Sequence, residues 1–273
     1  MPDALRNGLS LSYEVKGEGE PILFIPGILS NRIVWGPVAR RLSGVQAILL
    51  DNRDSGQSSL AASPYSIRDL AHDAFAVLDH AGIARAHIAG HSMGGAIAME
   101  MALLDPNRVR SLTLVNTWAK TDTYSGSVMR LLGMLRQRLT DDAEFLHANT
   151  LVVNAAAPLQ FMSMEDVAQS ILHFGPIQPA AAYLRNLKAV EAHDVLDRLP
   201  SIECPTQVIW GDEDKVFPAW HARQLLQSIP DARDLGLKGV GHMAILQAAD
   251  SVAMAITSLA NAASSEPAPH RSR

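Results

Sequence analysis

Three side chains in this sequence are of the types needed to cleave an acyl bond: Ser92 in Gly90-His91-Ser92-Met93-Gly94-Gly95, an acid within Asp212 to Asp214, and His242 in Gly239-Val240-Gly241-His242. A serine hydroxyl is too weakly acidic to attack a carbonyl unaided, so an imidazole must take its proton and later return it to the leaving group. A carboxylate on the far ring nitrogen sets the imidazole tautomer and stabilises the imidazolium that forms. The GxSxG pattern around Ser92 is too short to be specific alone, so its context decides. An apolar run, Ala86 to Ala89, precedes it and a helical stretch, Ala96 to Leu104, follows. A strand that reverses at once into a helix strains its central residue, and glycines on either side stop side chains from colliding there. The serine is then held out at the carboxyl end of a strand, with the amides of a helix N-terminus facing any charge that develops.

The elements that must position these groups can be read along the chain. Leu9 to Lys16 alternates apolar and polar residues as a half-exposed edge strand, and Ile22 to Ile25, Ala47 to Leu50, Ser111 to Val115 and Thr206 to Trp210 read as buried strands. Ala232 to Leu237 is a shorter extended segment. Helical stretches are expected at Trp35 to Leu42, Ser66 to Ala81, Ala219 to Ser228 and Met243 to Ala260. Strands alternating with helices at this spacing predict a mainly parallel sheet with right-handed crossovers. Ser92, the 212–214 acid and His242 each fall just after a different strand, in the order Ser, Asp, His expected for a nucleophile on such an elbow. The Pro26-Gly27-Ile28 loop lies where it can lend a backbone amide to an oxyanion hole.

The stretch from Thr117 to Leu199 is different in kind: rich in Met, Leu, Ala and Gln, with helical periodicity in Val128 to Leu139 and Met164 to Phe174. It is expected to form a helical lid over the strand ends. The division is then 1–116 with 200–262 as the core, 117–199 as the lid, and 263–273, with Ser264-Ser265, Pro267 and Pro269, as a disordered tail.

Composition narrows the function classes. The chain has 273 residues, 48% of them hydrophobic, enough for one large α/β domain. A net charge of −5 with no block of Lys or Arg offers no footprint for nucleic acid or an anionic membrane, so the expected partner is a small molecule. The N-terminal residues lack a basic start and an apolar core, and no stretch reads as a span, which implies a cytoplasmic protein. The one cysteine, Cys204, reads as a buried filler. Asp51 to Ala62 fails as a calcium loop because Arg53, Ser55 and Ala62 stand at ligand positions. His87 and His91 are spaced like a helical zinc pair but lie on an extended segment, so no metal is expected.

With these residues in place, the chain from Leu9 to Leu259 resembles the α/β-hydrolase fold superfamily. The resemblance is carried by Phe24-Ile25-Pro26-Gly27-Ile28, by Asp51-Asn52-Arg53-Asp54-Ser55-Gly56-Gln57-Ser58 against a DxRGxGxS turn, by Gly90 to Gly95, by Gly211-Asp212-Glu213-Asp214 with Pro218, and by Gly241-His242. It implies that Asp214 is the acid and that the amides of Ile28 and Met93 form the oxyanion hole. Two residues depart from the pattern: Pro26 replaces a histidine and Asp54 a glycine. The resemblance further implies a serine hydrolase, of the esterase or lactonase kind, that cleaves a small carboxylic ester or lactone without a cofactor. A carbon-carbon bond hydrolase of a β-diketone or vinylogous ketone and a slow ligand receptor are the rival expectations. Trp118 and Val216 are the candidates for touching substrate. His147, His173 and His193 are expected to be surface or helix-packing residues, Met129, Met134, Met162 and Met164 to be flexible apolar fillers of either an acyl or alkyl pocket or the ordinary core, and His91 to lie beneath the elbow without transferring a proton. Sequence leaves the oligomeric state open.

Overall fold

Ile22, Leu23, Phe24 and Ile25 are all fully buried, with side chains on both faces of their strand, as a strand covered by helices on each side requires. In the computed structural model, which describes residues 2–155, 163, 166, 169, 171–172 and 177–265, this run is part of β3 (Glu20–Ile25) in an eight-stranded sheet. The others are β1 (Asp3–Arg6), β2 (Leu9–Lys16), β4 (Val45–Leu50), β5 (Ala86–His91), β6 (Val109–Val115), β7 (Thr206–Gly211) and β8 (Ala232–Leu237). Their order is β1-β2-β4-β3-β5-β6-β7-β8. β1 and β2 pair antiparallel, β2 and β4 likewise, and every later pairing is parallel. The fold is that of an α/β hydrolase, as the sequence predicts.

The period of two along the strands divides the interior. Leu23, Ile25, Ile88, Leu114 and Val208 point to one core, shared with Leu70, Val77 and Leu78 of α2 (Ile67–His80) and Ile97 and Met101 of α3 (Met93–Leu104). Ile22, Phe24, Ala89, Val115 and Ile209 point to the other, with Trp35 beside α1 (Gly36–Ala39) and residues of the C-terminal helices. Ser66 starts α2 with a reciprocal cap: its hydroxyl accepts from the Asp69 amide, and the Asp69 carboxylate accepts from the Ser66 amide.

The segment after β6 carries α4 (Thr123–Arg138), α5 (Asp142–Val153) and α6 (Ala180–Glu191). Its two ends run side by side, joined where Thr121 N donates to His193 O and Val195 N donates to Ala119 O. α4 lies close on α6 at Gly133, where a Cβ would stand 2.9 Å from Leu187 Cδ1. α7 (Ala219–Ser228), α8 (Ala244–Gln247) and α9 (Ala249–Ser265) follow later in the chain.

Several elements differ from expectation. β1 was not anticipated, because Asp-Ala-Leu-Arg has neither length nor apolar content, and it takes the sheet edge that β2 was expected to hold. The Trp35 to Leu42 helix reduces to a tight turn over Arg32–Trp35 and the single turn of α1. α3 begins at Met93, three residues earlier than the expected Ala96, because the glycines that allow the elbow also form its first turn. The C-terminal helix is broken at Ala248 and runs on to Ser265. The rest of the expected tail, 266–273, lies outside the described residues, as do His173, Met162, Met164 and most of the expected Met164 to Phe174 helix. Among the described residues no helix is long and apolar enough to cross a membrane.

Candidate active site

The parallel strands bring their carboxyl ends together, so the residues just after β5, β6, β7 and β8 become neighbours. Ser92, directly after β5, takes φ 54° and ψ −122°, a strained conformation for a residue with a side chain. Two glycines make it possible. A Cβ on Gly90 would stand 2.2 Å from Gly94 O, and one on Gly94 would stand 2.0 Å from Ile25 O. The elbow is anchored by Ser92 N donating to Val115 O at 2.9 Å and by the Thr117 hydroxyl donating to Ser92 O at 2.8 Å. Met93 opens α3, so its amide is one of the first-turn donors without an intrahelical acceptor.

His242 reaches across to this serine, its Nε2 lying 2.9 Å from Ser92 Oγ. On its other side Nδ1 lies 2.9 Å from Asp214 Oδ2. A carboxylate can only accept, so Nδ1 carries the hydrogen and the Nε2 lone pair faces the hydroxyl. The Asp214 carboxylate has no solvent exposure and is held by three further donors. Its Oδ1 accepts from the amides of Val216 at 2.8 Å and Phe217 at 3.0 Å. Its Oδ2 also accepts from Asn116 Nδ2 at 2.8 Å. Asp212 turns elsewhere and accepts from Gly239 N at 2.6 Å. Asn116 is the residue that the sequence reading missed. It stands directly after β6 with φ 47°, and the signal available was its place after a strand end, beside the elbow in space rather than in sequence.

The His242 loop is pressed against Asn154 and Ala155, just after α5. A Cβ on Gly241 would stand 2.4 Å from Ala155 N. Gln247 bridges the two, accepting from Gly241 N at 2.8 Å and donating to Asn154 Oδ1 at 3.1 Å.

The Pro26-Gly27-Ile28 loop lies against the elbow, where a Cβ on Gly27 would be 2.9 Å from Ser92 Cβ. Ile28 is thereby brought near Ser92 in space, though far from it in sequence. Pro26, the first departure from the family pattern, has its carbonyl held by Asn52 Nδ2 at 3.0 Å. Asp54, the second departure, is fully buried with φ 65°, the backbone region that the pattern's glycine suits.

Of the two expected substrate contacts, Val216 is buried and lends its amide to Asp214. Trp118 is also buried, stacked on Phe217 with centroids 4.2 Å apart, and Phe217 in turn lies 5.6 Å from the His242 ring. The indole therefore stands one aromatic layer behind the His242 imidazole. His193 packs its edge against Trp118, and Met129 is buried while Met134 is exposed. Among the described residues no group of three His, Cys, Asp or Glu could hold a metal ion.

His91 lies beneath the elbow, fully buried, with Nε2 donating to the His242 carbonyl at 2.9 Å. Burial first, and the neighbouring His242 second, push its pKa down from 6.5 to about 3. Burial also brings His193 down to about 4. The unfolded chain accepts these protons below about pH 6.5 and the folded chain does not, so stability is complete above that pH and is lost as pH falls towards 4. Each histidine contributes about 1.4 kcal/mol per pH unit in that window. The melting temperature at pH 5.0 is expected roughly 10 °C below that at pH 7.5. Equal values in differential scanning calorimetry would show that these rings are protonated in the folded state.

A family model described as the alpha/beta hydrolase fold matches residues 20–249. The chain is 35% identical over 244 residues, covering 85% of it and 88% of the relative, to a protein of Azorhizobium caulinodans named "Putative carbamate hydrolase RutD". Among solved structures it resembles the enol-lactonase from Burkholderia xenovorans, with TM-score 0.85 and 25% identity over 95% of this chain and 100% of that one. It also resembles MGS-M2, an alpha/beta hydrolase from a deep-sea metagenome library, with TM-score 0.87 and 21% identity over 97% and 98% of the two chains.

Proposed function

The chain belongs to the alpha/beta hydrolase fold family, and from that premise we propose that it is a serine hydrolase cleaving a small carboxylic ester or lactone through an acyl-enzyme. The observation that carries the reading is the relay in which His242 stands 2.9 Å from both Ser92 Oγ and Asp214 Oδ2.

In the proposed cycle Ser92 Oγ attacks the carbonyl carbon while His242 Nε2 takes its proton. The amides of Ile28 and Met93 receive the oxyanion. Collapse breaks the carbon-oxygen bond, and His242 returns the proton to the leaving alkoxide. Water, deprotonated by the same imidazole, then attacks the acyl-enzyme and releases the acid and the free serine. Asp214, negative throughout, stabilises the transient imidazolium. Segment 117–199 is proposed as the lid that selects substrate, with 1–116 and 200–262 as the catalytic core. Trp118 shapes that site through Phe217, and Val216 braces Asp214.

A second reading is favoured by the 35% identity to the relative named for carbamate hydrolysis. A carbamate offers the same carbonyl with nitrogen on the acyl side, and the same relay serves it.

The test is hydrolysis of p-nitrophenyl esters from acetate to octanoate, a γ-lactone series and alkyl carbamates by the purified protein. Sustained turnover of esters or lactones supports the first reading, and ammonia release from carbamates alone supports the second. A stoichiometric burst without steady turnover would overturn both in favour of a receptor.

A further inference from the structure

The turn over residues 51–58 touches both the segment inserted after β6 and the loop that carries Ile28. Asp54 is enclosed by donors on both carboxylate oxygens. Oδ1 accepts from Ala61 N at 2.8 Å and Arg185 Nη2 at 2.7 Å. Oδ2 accepts from the Tyr65 hydroxyl at 2.8 Å and Arg185 Nε at 2.8 Å. Its carbonyl accepts from Gln178 Nε2 at 2.7 Å. Arg185 is on α6 and Gln178 precedes it, so both belong to the segment inserted after β6. Burial, then the bond to Asp54, push the Tyr65 phenol above its usual range, which keeps it a donor. A two-pronged guanidinium on a buried carboxylate is among the strongest polar contacts available, and it holds Asp54 at φ 65° although a side chain is disfavoured there.

The same turn grips the loop that carries Ile28. Asn52 Nδ2 donates to Pro26 O at 3.0 Å, the Ser55 hydroxyl donates to Ser30 O, and Asp51 Oδ1 accepts from Arg32 N at 2.7 Å. These contacts fall on either side of Ile28 and of Leu29, itself at φ 60°. A strained loop fastened at both ends moves only if its fastenings move.

We propose that Asp54 and Arg185 are positioning residues that couple the seating of α6 to the placement of the Ile28 amide. The inference rests on the serine hydrolase reading, in which that amide receives the oxyanion. With the ion pair made, the turn is locked and the loop is held against the elbow. With it broken, the turn relaxes and the amide drifts. An oxyanion donor acts only when it lies near 3 Å from the developing charge, so the loss falls on kcat rather than KM.

The experiment compares wild type, Asp54→Gly, Arg185→Met, Arg185→Lys and the double variant Asp54→Gly/Arg185→Met. Glycine fits φ 65°, so Asp54→Gly removes the ion pair without adding backbone strain. For each protein kcat and KM are measured on the best ester, and hydrogen exchange in the 26–31 loop, at the amides of Gly27 to Asn31, is followed by mass spectrometry. Each single loss is expected to lower kcat roughly tenfold with KM within about twofold, and to speed exchange in 26–31. Arg185→Lys is expected to recover part of kcat, and the double variant to be no worse than the poorer single one, because both changes break one contact. Unchanged exchange in 26–31, multiplicative loss in the double variant, or loss confined to KM would each overturn the coupling. A wild-type protein that hydrolyses nothing, with exchange still faster in the variants, would count against the hydrolase reading and in favour of the coupling.

Discussion

Ser92→Ala is expected to lower kcat for the best ester by on the order of a millionfold, the loss seen when a triad nucleophile is removed in other serine enzymes. The size follows from covalent catalysis. Without Oγ no acyl-enzyme forms, and what remains is binding and any help from the Ile28 and Met93 amides. The fold should survive, since the strained backbone at 92 is set by Gly90 and Gly94 rather than by the hydroxyl. Thr117 still donates to the residue-92 carbonyl in the variant. Steady-state assay of both proteins, with mass spectrometry after a fluorophosphonate probe, checks the result. The wild type should gain one adduct and the variant none. Turnover that persists in Ser92→Ala would remove the serine from the mechanism.

Asp214→Asn is expected to lower kcat by on the order of ten-thousandfold, whereas Asp212→Asn should change it by less than about threefold. The contrast comes from the partners of the two carboxylates. All four groups around Asp214 are donors: His242 Nδ1, Asn116 Nδ2 and the amides of Val216 and Phe217. An amide NH2 placed there must face a donor whichever way it turns. Facing His242, it forces the hydrogen onto Nε2, where the ring can no longer take the serine proton. Asp212 has one described task, accepting from Gly239 N at 2.6 Å, and an asparagine oxygen does that equally well. Rates for the two variants on one ester decide the matter. Equal losses, or the reverse order, would place the catalytic acid at the other carboxylate.

The legibility of the site depended on how local each requirement was. Gly90 and Gly94 are forced by collisions within a few residues of Ser92, so spacing alone exposed the elbow. The acid was open between 212 and 214 on spacing, because a turn presents neighbouring carboxylates in different directions and only resemblance favoured Asp214. The structure separates them by what each faces. β1 escaped notice because its pairing with β2, rather than its own composition, makes it a strand. Asn116 escaped for a related reason. An asparagine after a strand is common as a turn residue, and its bond to Asp214 spans 98 positions.

Asp54 shows the division most clearly. In sequence it is only a side chain where a glycine belongs, and the natural inference is a different turn. In the fold that turn keeps the glycine-like φ of 65°, and the added carboxylate meets Arg185 from 131 residues away. The sequence by itself determined the mainly parallel sheet, the elbow and the chain order of serine, acid and histidine at strand ends, because apolar period and glycine placement act over a few residues. Tertiary structure alone decided which carboxylate meets the imidazole, what braces it, and what fastens the loop that carries Ile28. Those contacts are hydrogen bonds and ion pairs between distant segments, whose geometry exists only once burial of the strands has brought the loop ends together.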